Sequence, residues 1–142
     1  MVAVTIDGLD SLQKDMQKLQ DQLGSGAGPV VSEALNAGAD IMLAEIQSNA
    51  RSELNLGSKR NALYPSLQKG RVKTRASGGS TIEIGSFMSA LRAEIFYAGF
   101  VEFGHGGPSP APPHPFVRPA FDTKADEAFR AMKQVLEAGI TI

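Results

Sequence analysis

The chain has 142 residues, 42% of them hydrophobic and 20% charged, with a net charge of −1 and no cysteine. That length specifies one domain, 1–142, with enough chain to bury a real core. The composition excludes disulfides, thiolate metal sites and cysteine nucleophiles, and the charge gives no global attraction to nucleic acid or anionic membranes. No run approaches the ~18 apolar residues of a membrane span. The opening MVAVTIDGLD lacks the charged and apolar regions of a secretion signal. The expectation is a soluble protein made in a cytoplasm.

Met1 to Asp7 alternates, with Val2, Val4 and Ile6 on one side, as in a short strand or an ordered lead-in. Leu9, Leu12, Met16, Leu19 and Leu23 then recur at three-four-three-four spacing. This predicts an amphipathic helix with a narrow, coiled-coil-like seam that packs on its own domain or on a neighbouring subunit. Gly24-Ser25-Gly26-Ala27-Gly28 is a hinge, and Pro29 suits the first turn of a second, long helix reaching about Leu54. Val31, Ala34, Leu35, Gly38, Ile41, Met42 and Glu45 mark one side of it, and the small residues allow close packing.

Residues 55–70 are expected to form a mobile basic loop, punctuated by Gly57, Pro65 and Gly70, with a short turn around Ala62-Leu63-Tyr64. Arg71, Lys73 and Arg75 then alternate with Val72, Thr74 and Ala76, as in a strand with one solvated basic face. Ser77-Gly78-Gly79-Ser80 has hairpin-turn chemistry. Thr81 to Gly85 follows as a second strand, and Leu91, Ala93 and Ile95 alternate as a third. The expected fold class is therefore α+β: a small antiparallel meander packed against a long α-helix, with amphipathic N- and C-terminal helices and an extended Pro-rich loop.

Phe96 to Phe121 holds six of the nine Phe and Tyr residues and six of the eight prolines, so this stretch organises the C-terminal half. Phe96, Phe100 and Phe103 share a helix face. Gly104 follows where a helix end favours positive φ. The segment 104–118 is a Pro/Gly-rich arm whose prolines preclude regular structure from His105 to Pro115. The final helix is expected from about Pro119 to Ala138, with Phe121, Ala125, Ala128, Met132 and Val135 on its face, Phe129 and Leu136 widening it, and Gly139 just past its end.

No catalytic constellation stands out. Glu102, His105 and His114 are the only His–carboxylate group, but one ligand would sit on the proline arm rather than on a rigid element. Ser109 lies between two prolines without a nucleophile elbow, and Gly104-His105-Gly106-Gly107 is too short for a phosphate-binding fingerprint. No cofactor or metal is expected. Arg71, Lys73 and Arg75, with Lys59, Arg60 and Lys69 nearby, offer a low-specificity duplex contact through phosphates, but no aromatics interleave for single-strand stacking. Glu102 sits near a helix C-terminus and Arg118 near a helix N-terminus, each disfavoured by its own dipole. A Glu102–Arg118 pair would offset both penalties and clamp the base of the arm.

Phe100-Val101-Glu102-Phe103-Gly104, a short loop, and Pro115-Phe116-Val117-Arg118-Pro119-Ala120-Phe121 resemble the HK97 gp10-like family of tailed-phage proteins. These are neck, tail-completion or tail-terminator components at the head–tail joint. Gly8-Leu9-Asp10, the long Ala-rich second helix and the small sheet also resemble the family, whereas Asn55–Gly70, with Leu63-Tyr64-Pro65, lacks the Ala-Pro, Thr-Gly, Leu segment that members often carry.

The resemblance implies a structural virion protein without catalysis, assembled in the host bacterial cytoplasm as a homo-oligomeric ring. A hexamer is favoured on the tail side; a dodecamer would suit a head-side connector. Its partners would be adjoining neck and tail-tube or connector proteins, with DNA at most incidental in the lumen and no membrane. The arm would make the contacts through Phe103, His105, Pro108, Pro110, Pro112, Pro113, His114 and Phe116, with Phe103 and Phe116 as anchors. A nucleic-acid-binding module using 71–75 is the alternative of a different class.

Overall fold

A computed structural model describes residues 9–23, 28–53, 67–76, 79–86 and 92–140. Helices α1 (Leu9–Leu23) and α2 (Pro29–Glu53) fall where the periodicity places them. Among the described residues four short strands follow: β1 (Leu67–Lys69), β2 (Lys73–Thr74), β3 (Ser80–Thr81) and β4 (Ile84–Ser86). Then come α3 (Arg92–Phe103) and α4 (Val117–Gly139). The class is α+β, dominated by helix. None of the described helices is long and apolar enough to cross a membrane.

Helices α2 and α4 form the frame and run antiparallel. Val30 meets Gly139, Gly38 meets Met132, and the Asn49 amide donates to the Phe116 carbonyl at 3.2 Å. Ala34, Gly38 and Ala39 on α2, and Ala120 and Ala128 on α4, are buried, and Gly38 lies where the two helices approach. A Cβ at Gly38 would collide with the Met132 side chain. The small residues foreseen on α2 are thus what lets the helices close up.

The sheet departs from the expected meander. β1 pairs with β4 and β2 with β3, both antiparallel, so the four pieces make one interrupted hairpin. Gly70, Arg71 and Val72 stand opposite Ile82 and Glu83, one residue more on the first side. This is a bulge, with the Gly70 amide donating to the Glu83 carbonyl at 2.7 Å. The turn has Gly79 at φ +89°, and the Arg75 amide donates to the Gly79 carbonyl at 3.0 Å.

Two expectations are corrected. The 55–70 loop ends before Leu67, because Leu67 is 3% exposed in the core and its carbonyl accepts from the Gln47 side chain on α2 at 2.9 Å. The third strand is not found among the described residues, where Ala93 and Ile95 belong to α3. Arg, Ala and Glu favour helix, and four residues of alternation fit either period. The lead-in at 1–7, most of the glycine hinge, most of the basic loop and residues 141–142 lie outside the described residues.

The core gathers Ile46 and Ala50 of α2, Leu67 of β1, and Phe116 and Ala120 from the start of α4, with Leu43, Ile84, Ala98 and Val101 packed around them. Helices α2, α3 and α4 and strands β1 and β4 contribute. Among the described residues α1 touches mainly α2.

Candidate functional site

The site is the corner between α3 and α4. Gly104 ends α3 at φ +71°, the left-handed conformation expected there. A Cβ on it would lie 2.8 Å from both the Ala111 carbonyl oxygen and the Pro113 nitrogen, so the returning chain packs directly on this glycine. The arm is not wholly irregular: His105 and Ala111 exchange two main-chain hydrogen bonds of 3.0 Å, closing residues 106–110 into a tight loop. These two positions keep their amides, whereas the prolines at 108, 110, 112, 113 and 115 have none. The His114 amide then donates to the Val101 carbonyl at 2.7 Å, which satisfies a carbonyl in the last turn of α3.

Phe116 turns the chain inward and is 1% exposed. It provides no side-chain cap for α4. Four amides at the start of a helix lack intrahelical partners, here those of residues 116 to 119. Glu102 supplies the missing acceptor from the neighbouring helix. Its Oε2 accepts from the amides of Phe116 at 2.7 Å and Val117 at 2.9 Å, and its Oε1 from that of Arg118 at 3.0 Å. Pro119 has no N–H, so one carboxylate completes the account. Glu102 is 9% exposed. The positive end of the α4 dipole and three charge-assisted bonds stabilise its charge there.

The expected Glu102–Arg118 clamp therefore takes a different form. Glu102 holds the main chain of Arg118, while the Arg118 side chain is exposed and makes no ion pair among the described residues. The sequence carried a signal for this: no Ser, Thr, Asp or Asn stands at 116, so α4 needs an acceptor from elsewhere. Gln47 and Asn49, which tie the hairpin and the corner to α2, carried no such signal.

The outer side of the corner is apolar. Phe103, beside Glu102, is 81% exposed. His105, Pro108, Pro110, Pro112 and Pro113 are exposed, and His114 is half-buried. The His105 ring packs edge-on against Phe100, with centroids 5.3 Å apart. Phe116 does not join this surface; it anchors the arm in its own subunit, so its expected contact with a partner is corrected by its burial. Among the described residues no three His, Asp or Glu side chains gather to hold a metal.

Arg71, Lys73 and Arg75 are exposed on the hairpin. Lys73 pairs with Glu83 at 2.9 Å, and Lys69 pairs with Asp40. Half of the basic residues described here are therefore neutralised locally; Lys59 and Arg60 lie outside the described residues.

One protein-family model, described as "Bacteriophage HK97-gp10, putative tail-component", matches residues 10–104. The chain belongs to the HK97-gp10-like family. The match runs from α1 through Gly104 and includes Glu102 and Phe103, whereas the Pro115–Phe121 half of the paired motif lies beyond it. No curated protein and no solved structure matched the chain. Membership of the HK97-gp10-like family points to a structural tail or neck component of a bacteriophage, which implies a place in the virion.

Proposed function

We propose that the protein is a ring-forming subunit at the head–tail joint, acting in tail completion or as a tail terminator, and that the closed loop 104–115 docks on a neighbouring subunit or an adjoining ring. The observation that supports this most is the contrast across one peptide bond. Glu102 locks the corner from inside, and Phe103 stands 81% exposed outside it. A loop held by main-chain bonds at both ends loses little entropy on docking. Its exposed prolines and Phe103 offer apolar surface with few polar groups to desolvate. The role is structural, without chemistry at the site. A ring needs a heterologous contact that closes by rotation, and an outward loop on one side of the subunit suits that geometry. A hexamer is the favoured count, and the contacts lie with neck and tail-tube proteins.

Light scattering across a concentration series, followed by negative-stain imaging, tests this reading. A closed ring is expected, of six copies on the tail side; twelve copies would move the role to a head-side connector. A chain that stays monomeric and also fails to bind tail tubes or filled heads contradicts it.

A further inference from the structure

Charge is segregated along the chain. Residues 67–86, which hold the four strands, contain four of the 14 lysines and arginines but one of the 15 acids. That stretch carries a net +3 in a chain of net −1, so the remainder carries −4. The hairpin sorts these charges by face. Lys69 and Ile84 are cross-strand partners on the inner face, where Ile84 packs on the core and Lys69 is neutralised by Asp40 of α2. On the outer face Lys73 stands opposite Thr81 and reaches Glu83 at 2.9 Å. Arg71, Lys73 and Arg75 are exposed, whereas Val72 is half-buried. Arg71 and Arg75 make no ion pair among the described residues, so the outer face keeps two uncompensated guanidinium groups.

The chemistry of that face selects its partner. Its side chains at 71, 73, 75, 81 and 83 are all charged or hydroxyl-bearing. A protein interface is built around an apolar centre depleted in charge, and this face has none. Protein–DNA interfaces are polar and strongly positive. Guanidinium forks bond phosphate oxygens in pairs, which a lysine ammonium cannot do. No Phe, Tyr or Trp occurs in residues 67–86, so the hairpin offers no stacking platform for single strands. A two-stranded ribbon is also a shape that the grooves of a duplex accommodate.

We propose that the outer face of this hairpin contacts the phosphates of duplex DNA through Arg71, Lys73 and Arg75, without reading sequence. The contact does not rest on the ring reading; in a ring it would recur once per copy. Each cation that neutralises a phosphate releases counterions, so binding must weaken steeply with salt. Three contacts give a slope of log K on log salt of about −2.7 per chain, or about 40-fold loss of affinity between about 50 and 200 mM salt. With the two arginines gone, Lys73 alone leaves about a threefold loss over the same range.

The test is fluorescence anisotropy of a labelled, mixed-sequence duplex titrated with the full chain over a salt series. Light scattering on the same samples gives the number of chains, so that slopes are compared per chain. Arg71→Gln with Arg75→Gln should lower the slope by about 2 per chain and leave the urea midpoint unchanged, because both side chains are exposed. Arg130→Gln with Lys133→Gln removes the same charge from exposed positions on α4 and should leave binding as in the wild type. Four results would overturn the inference: no duplex binding at low salt and millimolar protein, an unchanged slope in the hairpin variant, an equal loss in the α4 variant, or a single strand bound as tightly as the duplex. If the hairpin variant loses self-association and the wild type binds no duplex, the face meets protein, which also overturns it. A closed ring that ignores DNA removes this inference alone, whereas a monomer that binds duplex with the expected slope sustains it without the ring.

Discussion

Phe103 and Phe116 are both aromatics at the ends of the same arm, and the fold treats them oppositely. Phe116 is 1% exposed among Ile46, Ala50, Leu67 and Ala120, whereas Phe103 is 81% exposed. The difference follows from the register of α3. Glu102 must face the start of α4, and the next residue, about 100° further round the helix, is turned away from it. The inner residues hold the fold; the outer ones are left for something else. Substitutions that separate stability from assembly can break or sharpen that contrast.

Phe116→Ala should cost the most, about 3–5 kcal/mol, because it removes the largest fully buried side chain among the described residues and leaves a cavity where five elements meet. Urea unfolding would show the midpoint falling sharply. Glu102→Ala should cost about 3 kcal/mol, since three amides lose a charged acceptor. Glu102→Gln should recover part of this, because one amide oxygen can still accept while its NH₂ faces a donor. If Glu102→Ala matched the wild type, α4 would not depend on the cap from α3.

Gly104→Ala should cost about 2 kcal/mol from positive φ alone, with close contacts to the returning chain adding to it. Hydrogen exchange at the His105 and Ala111 amides would rise if the loop opens, and unchanged protection would show that the bridge does not need this glycine.

The smallest effect lies on the exposed side of α4. Lys124 donates to Glu127 at 2.6 Å. This hydrogen bond and the charge of the partner hold Glu127 below the ordinary glutamate range and Lys124 above the ordinary lysine range. The Glu127 contribution is present above its unfolded pKa and is lost as pH falls through the lowered value. The Lys124 contribution is present below its unfolded pKa and is lost as pH rises through the raised value. The gap in urea midpoint between wild type and Lys124→Met should therefore be small and flat around neutrality, and should close in strong acid and strong alkali. A gap that widens in acid would contradict the assignment.

How much of this the sequence disclosed depends on how long each pattern runs. α1, α2 and α4 span four or more turns, so their periodicity was unambiguous, and their ends were foreseen within a few residues. Ala93 and Ile95 offered too little alternation to separate strand from helix, and the third strand proved to be the start of α3. The hairpin register could not be read because a bulge at Gly70–Val72 shifts it by one residue. At the corner, dipole reasoning singled out Glu102 and Arg118, but not the atoms that join them. It weighed two side-chain charges, whereas the fold uses the unpaired amides of a helix that begins with Phe116. Neither the exposure of Phe121 and Phe129 nor the burial of Phe116 could be read from apolar spacing, which marks a face without saying how much of it a neighbour covers.

Phe103→Ser is the most direct test of the central claim that the outer side of the corner serves assembly and not folding. Urea unfolding and light scattering are read on the variant and the wild type together. The account predicts an unfolding free energy unchanged to within about 0.5 kcal/mol and loss of the multi-subunit species expected of the wild type. A variant that assembles like the wild type, or that loses its fold, would contradict it.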